Sequence, residues 1–95
     1  MKTSIFPKIS VIKETAQKLE VILAYNNIHI EIREVNIKYT LTEYAFEILN
    51  KKSIKDIKAM RKDIILSLNL PINKIKTCPT KKGLYAIHIP NLLIN

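Results

Sequence analysis

Residues 53–69 read SIKDIKAMRKDIILSLN, and this stretch decides the fold because its apolar side chains recur at helical spacing throughout. Stepped at about 100° per residue, Ile54, Ile57, Met60, Ile64, Ile65 and Leu68 share an arc of about 140°, the width of a stripe that faces a core. Ser53 stands where an N-cap is wanted, and Pro71 disfavours helical backbone just past Asn69. Lys55, Asp56, Lys62 and Asp63 fall outside the stripe, so the wet side of the predicted helix is mostly cationic. Arg61 falls inside it: either its stem snorkels past the rim of the core, or its guanidinium is aimed at a carboxylate or phosphate of another molecule. Strand-like apolar runs precede and follow this helix, which places it across one sheet.

Outward from that helix, residues 10–25 repeat the amphipathic pattern. Val11, Ile12, Thr15, Ala16, Leu19, Ile22 and Leu23 share a face, Ser10 is placed to cap, and Asn26-Asn27 provides a stop. Residues 28–33 alternate strictly, with Ile28, Ile30 and Ile32 on one side. Val35 and Ile37 then carry the opposite phase, which predicts a bulge or bend near Arg33-Glu34. A turn across residues 36–40 leads to a second strand in which Thr42, Tyr44, Phe46 and Ile48 alternate with Leu41, Glu43, Ala45 and Glu47, and Tyr44, Phe46 and Ile48 face the helices. Beyond the central helix come a short strand over residues 72–78, a turn over 79–83 holding the only glycine, and a last strand over 84–89. The fold class is therefore α+β: a mostly antiparallel sheet of four strands, two helices on one face, in the order α-β-β-α-β-β. Residues 1–9 read as an N-terminal arm and residues 10–95 as a single domain.

A chain of 95 residues is one domain, burying roughly 60 to 65% of its unfolded surface. No apolar run reaches the ~18 residues of a membrane span, no signal peptide precedes the domain, and a lone cysteine fits a reducing compartment; a cytoplasmic location is expected. Charge is uneven. Six cations meet six anions in residues 1–49, whereas ten meet two in residues 50–95, so the whole net charge of +8 belongs to the second half. Such asymmetry suits a polyanion or an acidic partner, although a coding bias toward Lys, Ile and Asn produces it without a ligand. Lys51, Lys52 and Lys55 gather at the start of the central helix and Lys81-Lys82 at a hairpin tip; with Arg61 and Lys62 these form the candidate binding set.

With one glycine there is no phosphate-cradling loop, so the chain is not expected to hydrolyse a nucleotide. Cys78, His29 and His88 are too few and too scattered for a structural zinc. Both histidines alternate with isoleucines and read as surface imidazoles, and Cys78 reads as a small buried hydrophobe with no base beside it in sequence. No catalytic residue, cofactor or metal is expected. As nucleic-acid readers the lysines would contact phosphate rather than bases.

From Leu19 to Asn91 the chain resembles the adaptor (alpha) domain that precedes the motor in FtsK/SpoIIIE-type DNA translocases. Leu19-Glu20 matches the family's first helix, and Leu41-Thr42-Glu43-Tyr44 stands where its Val-Thr-Arg-Tyr lies. Ile57, Met60, Asp63-Ile64 and Leu68 keep the helix spacing, and Ile87-His88-Ile89-Pro90-Asn91 closes the domain. Lys38-Tyr39 departs from the family's Gly-Pro, Glu43 from its arginine, Lys81 from a glycine and His88 from a glutamate, which marks a divergent member. The chain ends where the family's linker to the motor would begin, so it is either an excised domain or a stand-alone adaptor.

The resemblance implies a noncatalytic adaptor that helps a ring assemble around double-stranded DNA in chromosome or plasmid segregation and cell division. Its partners would be DNA phosphates, translocase motor or ring subunits, and copies of itself, with no membrane insertion. Thr42, Tyr44, Asp63, Pro90 and Asn91 would then be architectural and the lysines would face DNA. Two rivals stand beside it: a free adaptor copy that inhibits or redirects a translocase ring, and a small basic nucleic-acid-binding regulator.

Overall fold

The alternating run after the first helix becomes a strand because each isoleucine of one phase can enter a common core while the polar phase stays wet. A computed structural model describes residues 8–70 and 75–91. Its elements are α1 (Ile9–Ala24), β1 (Ile30–Ile37), β2 (Leu41–Ile48), α2 (Ile54–Ala59), α3 (Arg61–Ser67), β3 (Lys76–Pro79) and β4 (Tyr85–Pro90). The strands form one antiparallel sheet in the order β1-β2-β4-β3, the α+β class read from sequence.

Register explains which face is dry. Tyr44 pairs with Ile87, Thr42 with Ile89 and Phe46 with Tyr85, so one side of β2 and β4 carries nearly all the large apolar groups. Ile12, Leu19 and Leu23 of α1 and Ile57 and Ile64 of the following helices pack on that side with Ile30, Tyr44, Phe46 and Ile87. Among the described residues, no helix packs on the opposite face. The phase slip after Ile32 is real: the β1–β2 register shifts between Ile32 and Glu34, leaving Arg33 as the extra residue. At that bulge the Ile32 amide donates to Glu20 of α1 at 3.0 Å, so a carboxylate takes a hydrogen bond that a further strand would otherwise want.

Three details differ from expectation. The helix over residues 53–69 is two short helices, because Met60 leaves helical backbone (φ −91°, ψ 3°) and its amide donates to Ile57 rather than to the residue four back. Ile57 on one side of the break and Ile64 and Ile65 on the other are all buried, so the apolar stripe continues across it. Arg61, which falls inside the stripe on the wheel, is exposed, with Nη1 donating to the Lys58 carbonyl at 3.3 Å. Second, α1 begins at Ile9 rather than after Ser10, since the Lys8 carbonyl already accepts from the Ile12 amide at 3.0 Å. Third, β4 runs through Pro90 and β3 through Pro79, each slightly later than read; residues 72–74 of the expected third strand, and residues 1–7 of the expected arm, lie outside the described residues.

Other signals stand as read. Ser53 opens α2 in a capping box, its amide donating to Asp56 Oδ2 at 2.7 Å. Asn27 ends α1 at φ 61°, the left-handed geometry that asparagine tolerates. Gly83 takes φ 80° in the β3–β4 turn, where a side chain would be strained.

Candidate functional site

Strand polarity decides where the cations go. β1 starts at Ile30 opposite Ile48 at the end of β2, and Tyr85 at the start of β4 faces both Phe46 and Pro79. The β2–α2 loop and the β3–β4 turn therefore emerge at the same end of the sheet. A cleft there is lined by Asn50, Lys52 and Ser53 from one and by Gly83 and Tyr85 from the other. Lys51, Lys52, Lys55, Lys81 and Lys82 are all exposed around this end. Arg61 and Lys62 are exposed too, but stand one helix further on, past the Met60 break.

Among the described residues, no ion pair within 4.0 Å involves Lys51, Lys52, Lys55 or Lys81. Lys82 is engaged: its Nζ lies 2.9 Å from Glu34 Oε2, folding the hairpin tip toward the uncovered face. The hydrogen bond from Lys82 holds the Glu34 carboxyl below its ordinary range. Likewise the Ser53 amide holds Asp56 below its own, so the acid at the start of α2 stays charged in its capping role. Arg33 bridges Glu31 and Glu47 across β1 and β2, so its charge is taken up by two carboxylates.

Of the residues matched to the family, Thr42, Tyr44, Pro90 and Asn91 lie on β2 and β4 toward the opposite end. Thr42 is buried, and its Oγ1 donates to Asn91 Oδ1 at 2.6 Å; Asn91 Nδ2 donates to the Lys38 carbonyl at 2.6 Å and the Asn91 amide to the Thr40 carbonyl at 2.9 Å. One asparagine thus ties the end of β4 to the β1–β2 turn. Pro90 faces Leu41 across the ladder beside this knot. Tyr44 is buried under α1 with a hydrogen bond to Thr15, and burial pushes its phenol above the ordinary value. Asp63 is exposed in the first turn of α3, where a negative charge suits the helix dipole.

Sequence reasoning missed a polar cluster on the uncovered face. Glu43 and His88 are register partners on β2 and β4, and their side chains are only 16% and 17% exposed. His88 Nε2 lies 2.9 Å from Glu43 Oε2, Asn36 Nδ2 donates to Glu43 Oε1 at 3.1 Å, and Cys78 Sγ lies 3.5 Å from the same His88 Nε2. A carboxylate only accepts, so Nε2 carries the proton and cannot take one from Cys78. Cys78 therefore has an imidazole neighbour that the sequence concealed, yet sulfur and carboxylate share one nitrogen and make no relay. The signal was the alternation itself, which sets Glu43 and His88 on the same uncovered face once β2 and β4 are neighbours.

Burial pushes the Glu43 carboxyl up, but the hydrogen bonds from His88 and Asn36 and the charge of Lys38 hold it below the ordinary 4.5. A lowered folded value means stability that is present above the unfolded value and lost as pH falls through the folded one. Glu43→Gln should therefore cost about 1 kcal/mol near neutral pH, the difference between a charged and a neutral acceptor, and almost nothing in acid below both values. Urea midpoints of both proteins at neutral and acid pH check this; an equal gap at both would contradict it.

The described residues define a small two-layer α+β module with a cation-bearing end and a hydrogen-bonded knot at the other. The family described as the FtsK alpha domain matches residues 2–91, and the chain belongs to it. No curated protein matches the chain. Among the described residues no helix is long and apolar enough to cross a membrane, and no group of three or more His, Cys, Asp or Glu side chains could hold a metal ion.

Proposed function

We propose that the chain is a noncatalytic adaptor of, or for, an FtsK/SpoIIIE-type double-stranded DNA translocase, helping its ring to assemble and contacting DNA phosphates through the loop end of its sheet. The observation that carries the DNA part is the convergence of the β2–α2 and β3–β4 loops, with Lys51, Lys52 and Lys81 outside any ion pair among the described residues. Family membership supports the adaptor role. The Cys78–His88–Glu43 geometry supports the noncatalytic part, because no base stands free to activate the thiol.

Duplex affinity measured by fluorescence anisotropy between about 50 and 200 mM salt tests the reading, each phosphate contact contributing about −0.9 to the log–log slope. Neutralising Lys51, Lys52 and Lys81 together to Gln should flatten the slope by about 2 to 3. Arg61→Gln should leave it nearly unchanged, since Arg61 stands on the next helix. No duplex binding by the parent at low salt, or an unchanged slope in the triple variant, would remove the DNA-contact reading. Loss of ring assembly with a translocase motor while the DNA slope persists would leave DNA contact and remove the assembly role.

A further inference from the structure

The cation-bearing end also carries an aromatic ring. Tyr25 follows α1 as its C-cap and is 87% exposed. Its backbone is nonetheless held: its amide donates to the Val21 carbonyl at 3.1 Å, and Asn27 then turns the chain at φ 61°. Asn50 fastens this corner to the basic loop, with Nδ2 donating to the Asn27 carbonyl at 2.7 Å and Oδ1 accepting from the His29 amide at 3.2 Å. Lys51 and Lys52 follow Asn50 directly, and Leu49 before it is 57% exposed.

A single exposed tyrosine is ordinary on a protein surface. This one is fixed at its backbone at a corner pinned to the loop that carries Lys51 and Lys52, and the exposed His29 lies in the same α1–β1 connection as the corner. An exposed ring on one loop and ammonium groups on the loop fastened to it are the elements that bind single-stranded nucleic acid, where bases stack and the backbone meets cations. In a continuous duplex the bases are already stacked, and such a ring gains nothing from them. We propose that Tyr25, with Lys51 and Lys52, forms a stacking subsite for an unpaired base, so that this end prefers DNA carrying a single-stranded segment to fully paired duplex. This rests on the reading of the same end as phosphate-binding and names the form of DNA it favours.

The full chain is titrated against blunt duplex and against the same duplex with a single-stranded overhang. The parent should bind the overhang DNA about tenfold more tightly, a difference of about 1.4 kcal/mol. Tyr25→Ala should abolish that preference without changing affinity for blunt duplex, Tyr25→Phe should restore it, and Tyr39→Ala, at the far end of the sheet, should leave it intact. Equal binding of both DNAs by the parent, or a preference that survives Tyr25→Ala, overturns the proposal while the phosphate reading stands. Binding of neither DNA at low salt defeats both. A Tyr25→Ala defect confined to association with a translocase, with the DNA preference unchanged, also overturns it and makes the ring a protein contact.

Discussion

Phe46→Ala should remove about 3–5 kcal/mol of folding stability, the largest effect of any single truncation in this domain. Phe46 is fully buried, lies on the inner strand β2 between Ile32 of β1 and Tyr85 of β4, and tilts 34° against the Tyr85 ring at a centroid distance of 6.3 Å. Its removal loses transfer free energy, an aromatic contact and the filling of space between the sheet and the helices that pack on it, a cavity the surroundings relax into only in part. A domain of this length holds on the order of 5–14 kcal/mol in total, so the variant should be near the edge of folding at room temperature. Phe46→Leu keeps most of the volume and should cost less than about 2 kcal/mol. Urea denaturation checks both: the midpoint should fall steeply for alanine and modestly for leucine, with little change in slope. An alanine variant within about 1 kcal/mol of the parent would mean that Phe46 is not the centre of the core.

The same residue shows what the sequence could and could not declare. Alternation at period two is written into the chain, so Phe46 fell on the dry face together with Thr42, Tyr44 and Ile48, and the slip between Ile32 and Val35 announced the bulge. The break at Met60 had no such announcement. Neither proline nor glycine stands near it, and a wheel drawn through residues 54–68 gives one unbroken stripe. A helical wheel drawn straight through Met60 still places Ile64, Ile65 and Leu68 on the dry side, as the structure has them; only Arg61, inside the same arc, stands exposed.

Sites followed the same division. The lysines at residues 51–55 and 81–82 could be named because charge is visible in sequence, and strand order then brings their loops to one end. Glu43 and His88 stand 45 residues apart, and their contact exists only because β4 inserts beside β2 rather than beside β3 alone. The corner that holds Tyr25 and Asn27 meets the loop of Lys51 and Lys52 through the Asn50–Asn27 hydrogen bond, a contact across 23 positions that the sequence does not declare. Thr42 and Asn91 were matched as separate residues by resemblance, and what joins them is a hydrogen bond spanning 49 positions.

That bond carries the second large effect. Asn91→Ala should cost about 2–3 kcal/mol, since it strands the buried Thr42 hydroxyl and frees the Lys38 carbonyl in one step. Thr42→Val, which removes the hydroxyl at similar volume, should cost about 1 kcal/mol. In the double variant the stranded hydroxyl no longer exists, so the combined loss should be smaller than the sum by about 1 kcal/mol. Asn91→Asp separates the two halves of the knot: it keeps an acceptor for Thr42 Oγ1 but has no amide hydrogen for the Lys38 carbonyl, and it should fall between parent and alanine. Thermal melts resolve these steps, because a change of 1 kcal/mol moves the midpoint of a domain this size by about 4–8 °C. Strict additivity of the two single losses would show that Thr42 and Asn91 act apart, and the knot would then hold the β1–β2 turn through its backbone contacts alone.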